Sequence, residues 1–118
     1  MQVTARFTID EIGRVCHEAN RAYCIVNNDQ ALPEWDLLEE SYRESTRIGV
    51  HAVLEGSTPK ESHQSWMKER LSQGWKFGPV LDRERKVHPN LIPYDELPVN
   101  QKIKDHLFVN IVKALTGM

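Results

Sequence analysis

The run "GWKFGPVLDRERKVHPNLIPYDELP", residues 74–98, lies between two helical patterns and is not itself helical. Its two glycines and four prolines stop a helix or a continuous strand from passing through it. A connection this long is uncommon in a small domain unless it is functional or disordered. Disordered segments are poor in aromatic and apolar residues. This one carries Trp75, Phe77, Val80, Leu91, Ile92, Tyr94 and Leu97 as potential anchors. Its prolines also reduce the entropy of the free chain. Residues 74–97 are therefore expected to form an ordered loop. "PVLD" and "KVHPNL" flank a charged "RER" and predict a short β-hairpin.

Upstream, Thr58, Pro59 and Glu61 form a capping-box start for a helix over 59–73, with Trp66, Met67, Arg70 and Leu71 on its buried side. Gly74 ends it. Downstream, Ile103, Leu107, Phe108, Ile111, Val112 and Leu115 give a broad apolar face over 98–115. Thr8 and Glu11 start another helix over 8–27, with Phe7 and Ile12 placed as a staple. Its stripe reads Ile12, Val15, Cys16, Ala19, Ala22, Tyr23 and Val26. A further helix is expected over 34–55, with Trp35, Leu38, Tyr42, Ser45, Ile48 or Gly49, Ala52 and Val53 along one side and Gly56 as its stop. None of these helices buries its stripe alone. The expectation is one all-α domain, residues 1–118, built as a compact bundle of four main helices.

A net charge of −2 leaves no basic footprint for a nucleic-acid polymer. The apolar runs are too short to span a bilayer. "MQVTARFTIDEI" has no apolar core of a secretion signal. Cys16 and Cys24 lie eight positions apart on one helix, a rise of about 12 Å that exceeds disulfide reach. Free thiols point to a reducing, cytoplasmic setting.

The motifs "GWKFG" (74–78), "KVHP" (86–89), "LIPYDELP" (91–98) and "KIKD" (102–105), with Trp66 on the helix before them, resemble the ryanodine-receptor repeat, the RyR domain. "VCHEANRAYC" (15–24) is similar to the first helix of single-domain RyR proteins encoded by bacteria and their phages. In large calcium-release channels the repeat is a peripheral cytosolic module. The resemblance implies a mainly helical fold. For stand-alone members it implies recognition of nucleotide-derived small molecules, including signals of antiviral defence.

Two clusters are candidate ligand contacts. On a helix, His17, Asn20 and Arg21 share one side with Cys24, opposite the Ile12–Val15–Ala19 stripe. Arginine offers a planar fork suited to phosphate, and asparagine both a donor and an acceptor. The plainer alternative is a solvated face with one Arg–Glu pair. In the loop, Trp75 and Phe77 can stack on a base, as can Tyr23 from the helix. Lys86 and His88 add positive charge nearby, although both also fit a role in holding the loop down. Cys16 and His17 point about 100° apart, and no second pair has zinc spacing, so no metal site is expected. No serine sits in a nucleophile elbow and no phosphate-cradling glycine loop is present. The expectation is a protein without catalytic residues or cofactor that binds a nucleotide-like molecule and forms a homo-oligomer. The competing reading is an interaction or self-assembly module using an acidic surface with exposed Trp35, Leu37 and Tyr42.

Overall fold

The computed structural model describes residues 6–117. Four helices carry the fold: α1 (Ile9–Val26), α2 (Glu40–Leu54), α3 (Pro59–Ser72) and α4 (Val99–Thr116). Both capping boxes form. The Thr8 hydroxyl accepts the Glu11 amide at 3.0 Å while Glu11 Oε1 accepts the Thr8 amide at 2.8 Å. Thr58 and Glu61 repeat the arrangement at the start of α3. Each closes orphan donors of a first turn.

α4 is the central element and packs on α1, α2 and α3, while α2 also packs on α1. Ile12 and Cys16 meet Val50, Val53, Val109 and Val112 in one buried cluster, with Phe7, Ile9, Leu54, Phe108, Ile111 and Leu115 packed against it. This cluster joins the start of α1 to the ends of α2 and α4. The core therefore fills one end of the bundle. At the other end α1 and α3 stand apart, and loops close the space between them.

The predicted helix over 34–55 is broken. Trp35–Leu37 form a 3-10 turn, Leu38 and Glu39 are extended, and α2 begins at Glu40. The reason is burial of Trp35, which is 3% exposed. Its amide donates to Glu18 Oε2 at 2.7 Å and its carbonyl accepts from Arg43 at 3.0 Å. The supposed interaction surface thus loses its tryptophan to the interior, and Tyr42 is half-buried; only Leu37, 73% exposed, stands out. The α1 stripe is also turned. Val15 and Val26 are exposed, whereas His17 and Cys24 are buried.

The loop is ordered by buried anchors Trp75, Leu91 and Leu97. The predicted hairpin shrinks to one antiparallel bridge, Asp82 to Val87, across the "RER" tip. The named strands, β1 (Lys76–Phe77) and β2 (Val87–His88), pair in parallel instead. Lys86 turns the chain with φ +57°, and its carbonyl accepts the Lys76 amide at 2.9 Å, which brings β2 alongside β1.

β1 and β2 approach so closely that residue 78 has no room for a side chain. A Cβ there would lie 2.2 Å from Val87 Cγ1. Valine is stiff at χ1, so turning that methyl aside costs energy. Gly78→Ala is expected to cost about 1–3 kcal/mol by overpacking. Adding Val87→Ala should recover part of that loss, as read by urea denaturation of the single and double variants. Equal stability of Gly78→Ala and the parent would contradict the close approach.

Candidate functional site

The space between α1 and α3 is a cavity of about 770 Å³. Its floor is the inner side of Cys16, Gly49 and Phe108, where the apolar core ends. α1 supplies His17, Asn20 and Arg21, and α3 supplies Trp66, Glu69 and Arg70. The roof is two loops, 27–34 and 79–90. They are joined where the Gln30 side chain donates to the Leu81 carbonyl at 3.1 Å and Arg83 donates to the Gln30 carbonyl at 3.1 Å.

The polar side of α1 faces this cavity rather than solvent. His17 is buried, and its Nε2–H donates to the Pro33 carbonyl at 2.7 Å. Arg21 Nε donates to the Leu32 carbonyl at 3.0 Å, with Glu18 3.7 Å away. The two residues thereby clamp the 27–34 loop onto α1. Of the predicted contacts, His17, Asn20, Arg21, Trp75 and His88 line one cavity. Tyr23, Phe77 and Lys86 do not. The Tyr23 hydroxyl donates to the Asn100 carbonyl at 2.6 Å and ties α1 to α4. Phe77 is 57% exposed on β1. The Lys86 ammonium donates to the Gln73 carbonyl at 2.9 Å and fastens the loop to the end of α3.

His88 sits edge-on to Trp66, ring centroids 4.9 Å apart, and its Nδ1 accepts the Asn90 amide at 3.0 Å. Burial, aided by the positive charges of Arg83, Lys104 and Arg70, lowers its pKa to about 4. It is therefore a neutral ring at pH 7, with Nε2 as the donor.

The α4 side of the cavity carries carboxylates that the sequence left unassigned. Asp29 is partly desolvated, but hydrogen bonds from Gln101, Asn27 and Lys104 outweigh this and hold its pKa below the ordinary value. Lys104 reaches it at 3.0 Å. Asp105 is the opposite case. Its Oδ2 lies 3.8 Å from His63 Nδ1, and burial raises its pKa to about 7 against the opposing charge of Lys104. His63 is itself buried, and its Nε2–H donates to the Ile92 carbonyl at 2.8 Å. The Nδ1 side of the His63 ring thus faces the Asp105 carboxyl at 3.8 Å, beyond direct hydrogen-bond reach.

Arg70 is the buried cation of the site, 9% exposed. Its guanidinium lies 5.2 Å from the Tyr42 ring centroid and 5.9 Å from each of the Trp66 and Trp75 rings. The Trp75 amide donates to the Arg70 carbonyl at 3.0 Å, which sets that ring beside the guanidinium. Helical spacing placed Arg70 on an inner stripe four residues after Trp66, yet it carries no information about the Tyr42 ring that also packs on the guanidinium.

Cys16 and Cys24 are free and buried, and burial raises the Cys16 thiol to about 12, so it is inert at neutral pH. Among the described residues no group of three metal-ligating side chains comes together. No helix among them is long and apolar enough to cross a membrane.

A protein-family model described as RyR domain matches residues 51–118. That span begins inside α2 and takes in α3, the proline-rich loop and α4, which together supply Arg70, Trp66, Trp75, His88 and Asp105 to the cavity. The match covers more than half of the chain, and the chain belongs to the RyR domain family.

Proposed function

We propose that this protein binds a small nucleotide-derived molecule in the cavity between α1 and α3 and releases it unchanged. The observation that carries this reading is the cavity itself. Its volume of about 770 Å³ falls in the range of ligand sites, roughly 300–1,000 Å³. Its wall combines the indoles of Trp66 and Trp75 with the cations Arg21, Arg70, Arg83 and Lys104. Aromatic faces stack on any base, and arginine forks match phosphate oxygens. A binder that sequesters a messenger needs affinity and abundance but no turnover. A phage-encoded sponge acting on a defence signal in the host cytoplasm fits that requirement.

The test is thermal unfolding of the purified protein with cyclic dinucleotides, cyclic trinucleotides and ADP-ribose derivatives. A ligand at ~100 times its dissociation constant adds about 2.7 kcal/mol of stability. For a chain of this size that is an upshift of roughly 8–15 °C. The absence of an upshift with every compound, together with a stable oligomer by light scattering, would replace this reading with a self-assembly module.

A further inference from the structure

The Arg70 guanidinium has an unusual combination of burial and unmet donors. Both of its hydrogen bonds leave from Nη1, to Glu69 Oε1 at 3.1 Å and to Gln73 Oε1 at 3.3 Å. Nε and Nη2 meet no acceptor among the described residues. Yet no sealed side-chain nitrogen or oxygen among those residues lacks a partner. Nε and Nη2 therefore touch open space, and the open space beside Arg70 is the cavity. These two atoms form the side-on fork of a guanidinium, the edge that takes an oxyanion through two parallel hydrogen bonds.

The surroundings keep that fork open. Glu69 lies on the Nη1 side, and the oxygen that Arg70 contacts also accepts the Ser45 hydroxyl at 2.5 Å. This tether fixes Glu69 toward α2. The rings of Tyr42, Trp66 and Trp75 surround the guanidinium, restrict its rotamers and exclude water from its sides. A charged hydrogen bond made in such a site is stronger than one made in water. The other cations of the wall are differently placed. Lys104 is paired with Asp29, Arg21 Nε is bonded to the Leu32 carbonyl, and Arg83 reaches out to the Gln30 carbonyl.

We infer that Arg70 is the anion anchor of the cavity. Its Nε/Nη2 fork takes a phosphate or carboxylate oxygen pair, and the indoles of Trp66 and Trp75 cover an aromatic ring attached to that anion. The inference rests on the small-ligand reading above and narrows it to ring-bearing oxyanions.

The experiment follows arginine Nε–H and tryptophan indole resonances of ¹⁵N-labelled protein during titration with AMP, adenosine and inorganic pyrophosphate. AMP is expected to shift Arg70 Nε–H together with the Trp66 and Trp75 indoles. Pyrophosphate is expected to shift Arg70 Nε–H alone. Arg70→Lys keeps the charge and removes the fork; it should weaken AMP by roughly tenfold to a hundredfold and leave adenosine within about threefold. Shifts at Arg21 or Arg83 with Arg70 unmoved would overturn the assignment of Arg70 and leave the cavity reading intact. AMP affinity unchanged in Arg70→Lys would do the same. No shift of any cavity resonance with all three probes would overturn both. The titration of the parent protein decides between these outcomes even where a variant folds poorly.

Discussion

Replacing Trp35 by alanine is expected to destabilise the protein by about 3–5 kcal/mol, against a total of about 5–15 kcal/mol for a domain of this size. The melting temperature should fall by roughly 10–20 °C. Trp35 packs on Gly13 of α1 and lies beside the His17 ring at 5.7 Å. Its removal opens a void between α1 and the start of α2. It also loosens the 3-10 turn whose amide and carbonyl bind Glu18 and Arg43. The neighbouring Leu37→Ala, at a position 73% exposed, should change stability by less than about 0.5 kcal/mol. Guanidinium denaturation of both variants reads the contrast directly. Similar midpoints for the two would mean that Trp35 is not part of the interior.

Asp105→Asn is expected to stabilise the protein at pH 8 and to do nothing at pH 4. The parent carboxyl titrates at about 7 in the folded state and at about 3.9 when unfolded. Between these values the folded state binds more protons than the unfolded state, so stability falls as pH rises. His88 has the opposite sign. Its folded value of about 4 lies below the unfolded value of about 6.5, so stability falls as pH drops through that interval. In the parent the two trends oppose one another between about pH 4 and 6.5, and the Asp105 loss completes itself near pH 7. In the variant the His88 trend is no longer opposed by Asp105: stability climbs from pH 4 to 6.5 and then levels. The gain at pH 8 should be on the order of 4 kcal/mol, from about 1.4 kcal/mol for each unit between the folded and unfolded pKa. Parallel pH profiles for parent and variant would show that Asp105 is ionised normally in the folded protein.

Asp105 and Trp35 also mark where sequence reading stops. Helices α1 and α3 were legible because Thr8–Glu11 and Thr58–Glu61 are local devices, complete within four residues. The loop was legible because its prolines and Gly74, at φ +91°, are local constraints too. The start of α2 was not, because Trp35 lies at helical spacing from Leu38 and Tyr42 while its actual position answers to Glu18 and Arg43. Apolar periodicity likewise drew Val15 and Val26 inward. They are outside because His17 and Arg21, one turn apart, reach carbonyls of the 27–34 loop and turn that side of α1 toward the cavity.

The amino-acid order alone thus settled the helix boundaries with caps, the ordered proline-rich connection and the family, since each is written in short runs of neighbouring residues. Only the folded arrangement decided which polar groups share one enclosed space. Arg70 gains the Tyr42 ring, and Asp105 its histidine, from segments far apart along the chain. Desolvation and unmet hydrogen-bonding capacity arise from that convergence, and neither leaves a periodic trace in a sequence.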